Sequence, residues 1–416
     1  MALPNNILQN VQTYNKADLA YLLNSYAFIS TSNKKYRDFQ KANPANLGDT
    51  ITFDKPPRFV ANDGLTVSFQ GVEQRVQTLT VDNAKNVGIN VSAQQLIFNL
   101  EDYMDRFGKA AVQELGAVVE KDVAGLCETT PYRFYGNGLT AISSFSQLAE
   151  ALAMFRNFGA ARDNTRGYLS DIAIPAIVNT GLNQFAMDRN NELANSWELG
   201  GFSQCDWYTS NLLPIHTAGT EGETQTTLTV VSVVTNADGG VTSITFSGTN
   251  AASDADSVKL YDRFQFQDNV AGLPNLRFRT FIGHTVAAVP VQFLATADAA
   301  STAGSQVTVL VDPPLQATAG KNQNINTAIV AGMQVKALPS HRAGMIQSGN
   351  QFYLAMPPLP STDPFDSSVV TDMDSGASLR MYTGSQFGQN LYGTVHDVIW
   401  GKTQVSDNAM ALIFPL

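Results

Sequence analysis

Cysteine, histidine and charge are all scarce in this chain. Two cysteines, Cys127 and Cys205, and four histidines among 416 residues give no Cys/His spacing suited to a metal and no disulfide framework. So few thiols fit a reducing compartment, with one bridge left open. Charged residues are only 15% of the chain, 26 Lys plus Arg against 36 Asp plus Glu, for a net charge of -10. With no basic block, the bulk surface repels a phosphate backbone, which excludes a sequence-specific grip on nucleic acid but not its enclosure. Long apolar runs are missing too. The longest uncharged stretch, Thr280 to Ala297, is broken by Gly283, His284, Thr285, Pro290 and Gln292 and reads as strands, not as a membrane span. The opening Met1-Ala2-Leu3-Pro4-Asn5-Asn6 lacks the basic and apolar segments of a secretion signal, so none is expected.

What the chain does contain is 44% hydrophobic residues and 31 glycines, a balance that excludes wholesale disorder. Its length exceeds one small domain. Residues 1–47 read as an arm, with Leu19, Leu22, Leu23 and Tyr26 at helical spacing and a local surplus of positive charge at Lys34, Lys35, Arg37 and Lys41 against Asp38. From Gly48 the pattern changes to alternation at Thr50–Phe53, Thr66–Phe69, Val76–Val81 and Val87–Val91. This predicts strands, the first two as legs of a long hairpin turning at Asp63-Gly64. Such a hairpin has little core of its own and needs a neighbour to lie on.

Leu96, Leu100, Met104, Phe107, Ala111, Leu115, Val118 and Leu126 step by three or four, with Asp122 interrupting the stripe. A continuous helix from Ala93 to Cys127 would span roughly 50 Å and act as a spine; Gly108, Gly116 and Gly125 leave two shorter core helices as the alternative. A second helix is predicted after Ser144, through Leu148, Leu152, Phe155 and Phe158, stopping at Gly159. Texture shifts again past His216. Ten threonines lie between Thr217 and Thr249, and Thr227–Val234 and Val241–Phe246 flank Asn236-Ala237-Asp238-Gly239-Gly240, a hairpin signal. Further strands are expected at Val258–Phe266, Arg277–Ile282, Val286–Leu294, Gln306–Val311 and Ile325–Val335. This predicts an antiparallel barrel or sandwich near residues 218–338, inserted into a larger α+β domain that resumes after Pro339 and closes with a strand pair at Val395–Trp400 and Ala409–Phe414.

Chemistry-bearing motifs are weak. Gly136-Asn137-Gly138-Leu139-Thr140-Ala141 fits a dinucleotide fingerprint only in its letters, without a second strand carrying a ribose-binding acid, and reads as a plain loop. Asp372-Met373-Asp374-Ser375-Gly376 starts like a calcium loop, but the twelfth position is Thr383. His216, His284, His341 and His396 fall in four separate segments. No nucleophile elbow, phosphate-cradling loop or zinc-protease helix motif occurs. No catalytic, cofactor-binding or metal-binding residue is therefore assigned, and the chain is expected not to be an enzyme.

Taken in order, Gly48-Asp49-Thr50-Ile51-Thr52-Phe53-Asp54-Lys55-Pro56-Pro57, the long hairpin, the spine helix near 100–127, a β-insertion and the ending Ile399-Trp400-Gly401 to Phe414-Pro415 resemble the major capsid (coat) proteins of tailed double-stranded DNA bacteriophages. The short-tailed Lederbergvirus-like branch, with its inserted β-domain, is the most similar. The resemblance implies a Hong-Kong-97-type α+β fold: an arm at 1–47, an extended loop and returning strands at 48–92, a spine helix at 93–130, an axial and peripheral core at 131–217 and 339–416, and an inserted β-domain at 218–338. It implies pentamers and hexamers forming an icosahedral shell, a scaffolding protein, a portal protein and, in some relatives, a decoration protein as partners. The shell would be assembled in the host cytoplasm, and DNA would be enclosed without sequence-specific binding or any membrane. Phe53, Phe59, Val67 and Phe69 are candidate intersubunit contacts, with Arg58, Asp63, Arg75 and Asp82 as polar ties. Lys55 and Lys85 are available loop lysines, but no covalent crosslink is expected. The rival reading from the Thr-rich segment is a secreted or surface β-rich binding module.

Overall fold

The structure is a computed structural model that describes residues 15–23, 26–33, 50–55, 57–61, 64, 69–72, 74–92, 108–160, 164–181, 201–349, 351–359, 367–372, 377–385, 391–404 and 408–416. The charged segment 34–41 and the positions Asp63 and Val67 lie outside them. Helices and strands are mixed throughout, and two compact units divide the chain. One draws on Met1–Lys55, Val76–Ala124 and Asn350–Val405, the other on Pro56–Arg75, Gly125–Gly349 and Ser406–Leu416.

The first unit is built on a six-stranded sheet. Thr50–Lys55 lies beside Arg75–Ser92, which pairs antiparallel with Leu391–Gln404. On the opposite edge of Leu391–Gln404, Ser378–Ser385 and Phe352–Ala355 share its length, and Ser367–Thr371 completes the order. Where two separate strands were expected at 76–81 and 87–91, one strand of 18 residues runs through. The polar stretch Asp82–Asn86 hid that continuity, because a strand facing solvent has no burial alternation to read. The pairing slips by one residue between Val81 and Asn83, leaving Asp82 as a bulge. Opposite it, a Cβ on Gly401 would sit 2.3 Å from the Thr80 carbonyl oxygen, so only glycine permits the approach.

Helix Lys109–Ala124 buries Ala111, Val112, Leu115, Val119 and Val123, so that Val119 takes the buried place expected of Val118, which is half-buried, and it turns at Gly125 before Leu126–Thr129. Residues 93–107 of the expected spine lie outside the described set. Asp122 breaks the stripe for a reason: its carboxylate accepts the Trp400 indole N–H at 2.8 Å and the Lys402 ammonium at 2.6 Å. Helix 15–23 buries Leu19, Leu22 and Leu23.

The second unit contains a closed six-stranded barrel, in the order Arg263–Phe266, Gln292–Ala295, Gln306–Leu315, Val241–Ser247, Thr227–Thr235 and Gln334–Ala337. Stacked Phe246, Phe264 and Phe293, with centroids 5.1–6.3 Å apart, fill its interior. The hairpin at 227–247 forms as expected, with the Asn236 side chain accepting the N–H groups of Asp238 and Gly240. Other strands differ in extent: Arg263–Phe266 and Arg277–Arg279 are shorter than the predicted runs, Gln334–Ala337 overlaps only the end of the run predicted at Ile325–Val335, and Gln306–Leu315 is longer than expected. Val286–Leu294 splits at Pro290-Val291 into strands of two different sheets, since proline withholds the N–H that a continuing ladder needs.

A seven-stranded sheet accompanies the barrel, ordered Phe134–Tyr135, Ala409–Phe414, His341–Ser348, Thr165–Ser170, Cys205–Ser210 and Gly201–Phe202, with Ile215–His216 also on His341–Ser348. The closing strand pair expected from the sequence is therefore corrected. Ala409–Phe414 pairs with His341–Ser348, while Leu391–Gln404 belongs to the other unit's sheet. Helix Phe145–Asn157 begins where Ser144 accepts the Gln147 N–H at 3.3 Å and ends at Gly159 with φ +89°. Its Leu148, Leu152 and Phe155 form one continuous apolar core with the barrel interior. The barrel thus shares its core with the body beneath it.

Candidate intersubunit surface

The segment joining Lys55 to Arg75 carries most of the sequence-predicted contacts, and its described residues form no strand. Residues 66–68 of the expected second leg lie outside the described residues; Thr50–Lys55 pairs with the later strand Arg75–Ser92. The segment is drawn together where the Gln70 side-chain oxygen accepts the Val60 N–H at 3.0 Å and its amide donates to the Val60 carbonyl. It rests on its own barrel unit through a few contacts. The Arg58 guanidinium lies 3.4 Å from the centroid of the Phe281 ring, His284 Nε2 donates to the Phe59 carbonyl at 3.3 Å, and Lys321 Nζ donates to the Gly71 carbonyl at 3.3 Å.

On the loop side, these three contacts engage two backbone carbonyls and one cation. Phe69 is 96% exposed, Val72 69% and Phe59 52%. Scattered apolar residues on a surface need no special cause; three of them fall on this one loop, and Phe59 and Phe69 adjoin the hydrogen-bonded residues Val60 and Gln70. Of the predicted residues, Arg58 and Phe59 come together over the loop between Arg279 and Val286. Phe69 adjoins Gln70. Arg75 opens the long strand, half-buried, and Asp82 sits exposed on the bulge, where it accepts from Asn83 at 2.8 Å. Phe53 lies within strand Thr50–Lys55. Sequence reading missed Phe281, His284 and Lys321 as the seat of the loop, because they lie 220 to 250 positions downstream. It also missed exposed Val72, whose run lacks alternation.

The other motifs resolve into structural roles. At Gly136, φ is +108° and an added Cβ would meet the Ile413 carbonyl oxygen at 2.7 Å. Asn137 Oδ1 accepts the N–H groups of Leu139 and Thr140, closing a turn. The Asp372 N–H bonds the Ala377 carbonyl. Both cysteines are buried and no disulfide joins them. Burial, then neighbouring Asp206, holds the Cys205 thiol far above its ordinary range.

A cleft of about 420 Å³ lined by Tyr135, Glu150, Met154 and Gln292 offers a phenol hydrogen-bonded to Glu150 at 3.0 Å. Burial and that carboxylate push its pKa up to about 12, so the hydroxyl keeps its proton and acts as a donor. Among the described residues, no group of three or more His, Cys, Asp or Glu side chains is placed to hold a metal ion, and no helix is long and apolar enough to cross a membrane.

No family model matches this chain, and no curated protein matches it. Solved structures resemble it. A chain from Mycobacterium phage Che8 is 9% identical over 93% of this chain and 90% of its own, with a TM-score of 0.45. A chain from the capsid of Ralstonia phage GP4 is 7% identical over 89% and 84%, at 0.44. One from the capsid of the cyanophage P-SCSP1u is 10% identical over 88% and 83%, at 0.41. Bacteriophage capsid chains are thus among the solved structures to which this protein is similar.

Proposed function

We propose that this chain is the major capsid protein of a tailed double-stranded DNA phage, a non-enzymatic shell subunit. The observation that carries the reading is the exposure of the apolar residues Phe59, Phe69 and Val72 on one loop, whose described contacts to its own barrel unit include the Arg58 guanidinium and the carbonyls of Phe59 and Gly71. Fully burying one such aromatic or aliphatic side chain is worth about 1.5–3 kcal/mol. Three such side chains are too few for a stable isolated dimer, yet repeated around every copy of a closed shell they are sufficient, because each subunit both gives and receives the contact.

On this reading the chain takes a Hong-Kong-97-type fold of the inserted-domain, Lederbergvirus-like kind. Residues 1–47 are the arm, 48–92 the extended loop and its return, 93–130 the spine, 131–217 with 339–416 the core, and 218–338 the insertion. The contact set is Phe53, Phe59, Val67 and Phe69, with Arg75, Asp82 and Asp63 at the polar rim, where each ion pair is worth only about 0–1 kcal/mol. Arg58 serves first to seat the loop on Phe281. Subunits gather as pentamers and hexamers on a scaffolding protein, admit DNA through a portal, and leave it loose behind an acidic wall. The mature protein resides in the virion after assembly in the host cytoplasm.

Sedimentation velocity and negative-stain imaging of the purified protein, alone and with scaffold, test the reading. Rings or closed shells are expected, and a persistent monomer under both conditions contradicts it.

A further inference from the structure

The chain enters the barrel from Ile215–His216 and leaves it into His341–Ser348, and these two strands pair with His216 directly opposite His341. The two rings lie 5.3 Å apart at 48°. Both are buried, yet their surroundings differ sharply. His216 Nδ1 is 2.8 Å from Glu128 Oε1, on helix Leu126–Thr129, and its Nε2 is 2.7 Å from Asp262 Oδ1, just before strand Arg263–Phe266. A carboxylate only accepts, so an imidazole with a carboxylate on each nitrogen must donate from both and carry its second proton. Asp262 is itself held by the N–H groups of Lys259 at 2.8 Å and Gly219 at 3.1 Å.

His341 is arranged the other way. Its Nδ1 donates to the Pro339 carbonyl at 2.7 Å, so its Nε2 is left to accept from Arg263 Nη1 at 3.1 Å. Arg263 gives three of its four remaining donors to the carbonyls of Pro131, Cys127 and Glu128. Burial and then Arg263 push the His341 pKa down to about 3, and burial lowers that of Arg263 to about 10. Of the two neighbouring imidazoles, tilted against each other, one is charged and one neutral, and the proton sits where it ties three segments together.

We propose that the neck of the barrel is a proton-locked joint: the imidazolium of His216 fastens helix Leu126–Thr129, the inbound strand and the start of Arg263–Phe266. Loss of that one proton unfastens the neck while the barrel walls stay closed. The groups that decide it are Glu128, Asp262, Arg263 and His341. Burial and Arg263 oppose the charge on His216; the hydrogen bonds to Asp262 and Glu128 outweigh them and raise its pKa above the ordinary 6.5. A raised folded value fixes the sign. The lock is complete below pH 6.5 and is lost as pH rises through the folded value. Neutral His216 would leave a ring lone pair against a carboxylate in a buried site, which costs far more than a lost surface contact.

Hydrogen exchange of the full-length protein, read by mass spectrometry from pH 6 to 10 and corrected for intrinsic rate, tests the lock. Protection at 215–219, 259–263 and 339–342 is expected to fall by about tenfold per pH unit above 6.5 and then level off, while 227–235 and 306–311 stay constant. Glu128→Gln removes one of the two anions and moves the levelling point down, and His216→Gln flattens the profile. If His216→Gln fails to fold, the other two decide. A wild-type neck that tracks the walls at every pH, or a Glu128→Gln profile that superimposes on wild type, overturns the proposal.

Discussion

Glu120 is a buried carboxylate because two backbone groups require it. Its oxygens accept the N–H groups of Phe28 and Ile29, each at 2.9 Å. They cap helix Ala27–Thr31, whose own N-cap residue Tyr26 supplies no side-chain acceptor. Glu120→Ala would leave both donors buried and unpaired, at about 1–3 kcal/mol each. A clear drop in the urea midpoint of this unit is expected, and a smaller one for Glu120→Gln, which keeps one acceptor.

A contrast between two phenylalanines separates core from contact. Phe264 is fully buried among stacked rings, so Phe264→Ala should cost about 3–5 kcal/mol. Phe69 is almost fully exposed, so Phe69→Ala should leave subunit stability within about 0.5 kcal/mol of wild type while impairing assembly. Paired denaturation curves and light scattering with scaffold distinguish the two effects.

At the scale of elements, strand Arg75–Ser92 is anchored along Val81–Ser92 by Leu391–Gln404, while the described ties of the loop before it to its own barrel unit are those at Arg58, Phe59 and Gly71. Replacing residues 57–74 by a short Gly-Ser turn should therefore leave both units folded by circular dichroism but abolish regular shells. Normal shells from that variant would show that the loop has been misassigned.

Elements with strong local signals were legible in the sequence. Helix Phe145–Asn157 has its 3.6-residue period, its Ser144 cap and its Gly159 stop; the 227–247 hairpin has its turn chemistry. Elements defined by distant partners were not. Ala409–Phe414 carries no mark that it belongs beside His341–Ser348, nor do Glu128, His216 and Asp262 signal one another across separations of 88 and 46 residues. Asp122, a flaw in a helical stripe when read locally, is explained only by Trp400 and Lys402.

For the whole molecule, the sequence showed that the loop carries the aromatic residues Phe59 and Phe69, but their exposure and the seat under the loop are products of tertiary folding. The central claim is that each subunit leaves apolar surface unburied and that neighbouring copies cover it. Oxidative footprinting of Phe59 and Phe69, in free subunits and in particles assembled with scaffold, measures that cover side chain by side chain. Strong labelling of both rings in the free protein and marked protection in particles is the predicted result; equal labelling in the two states contradicts the account.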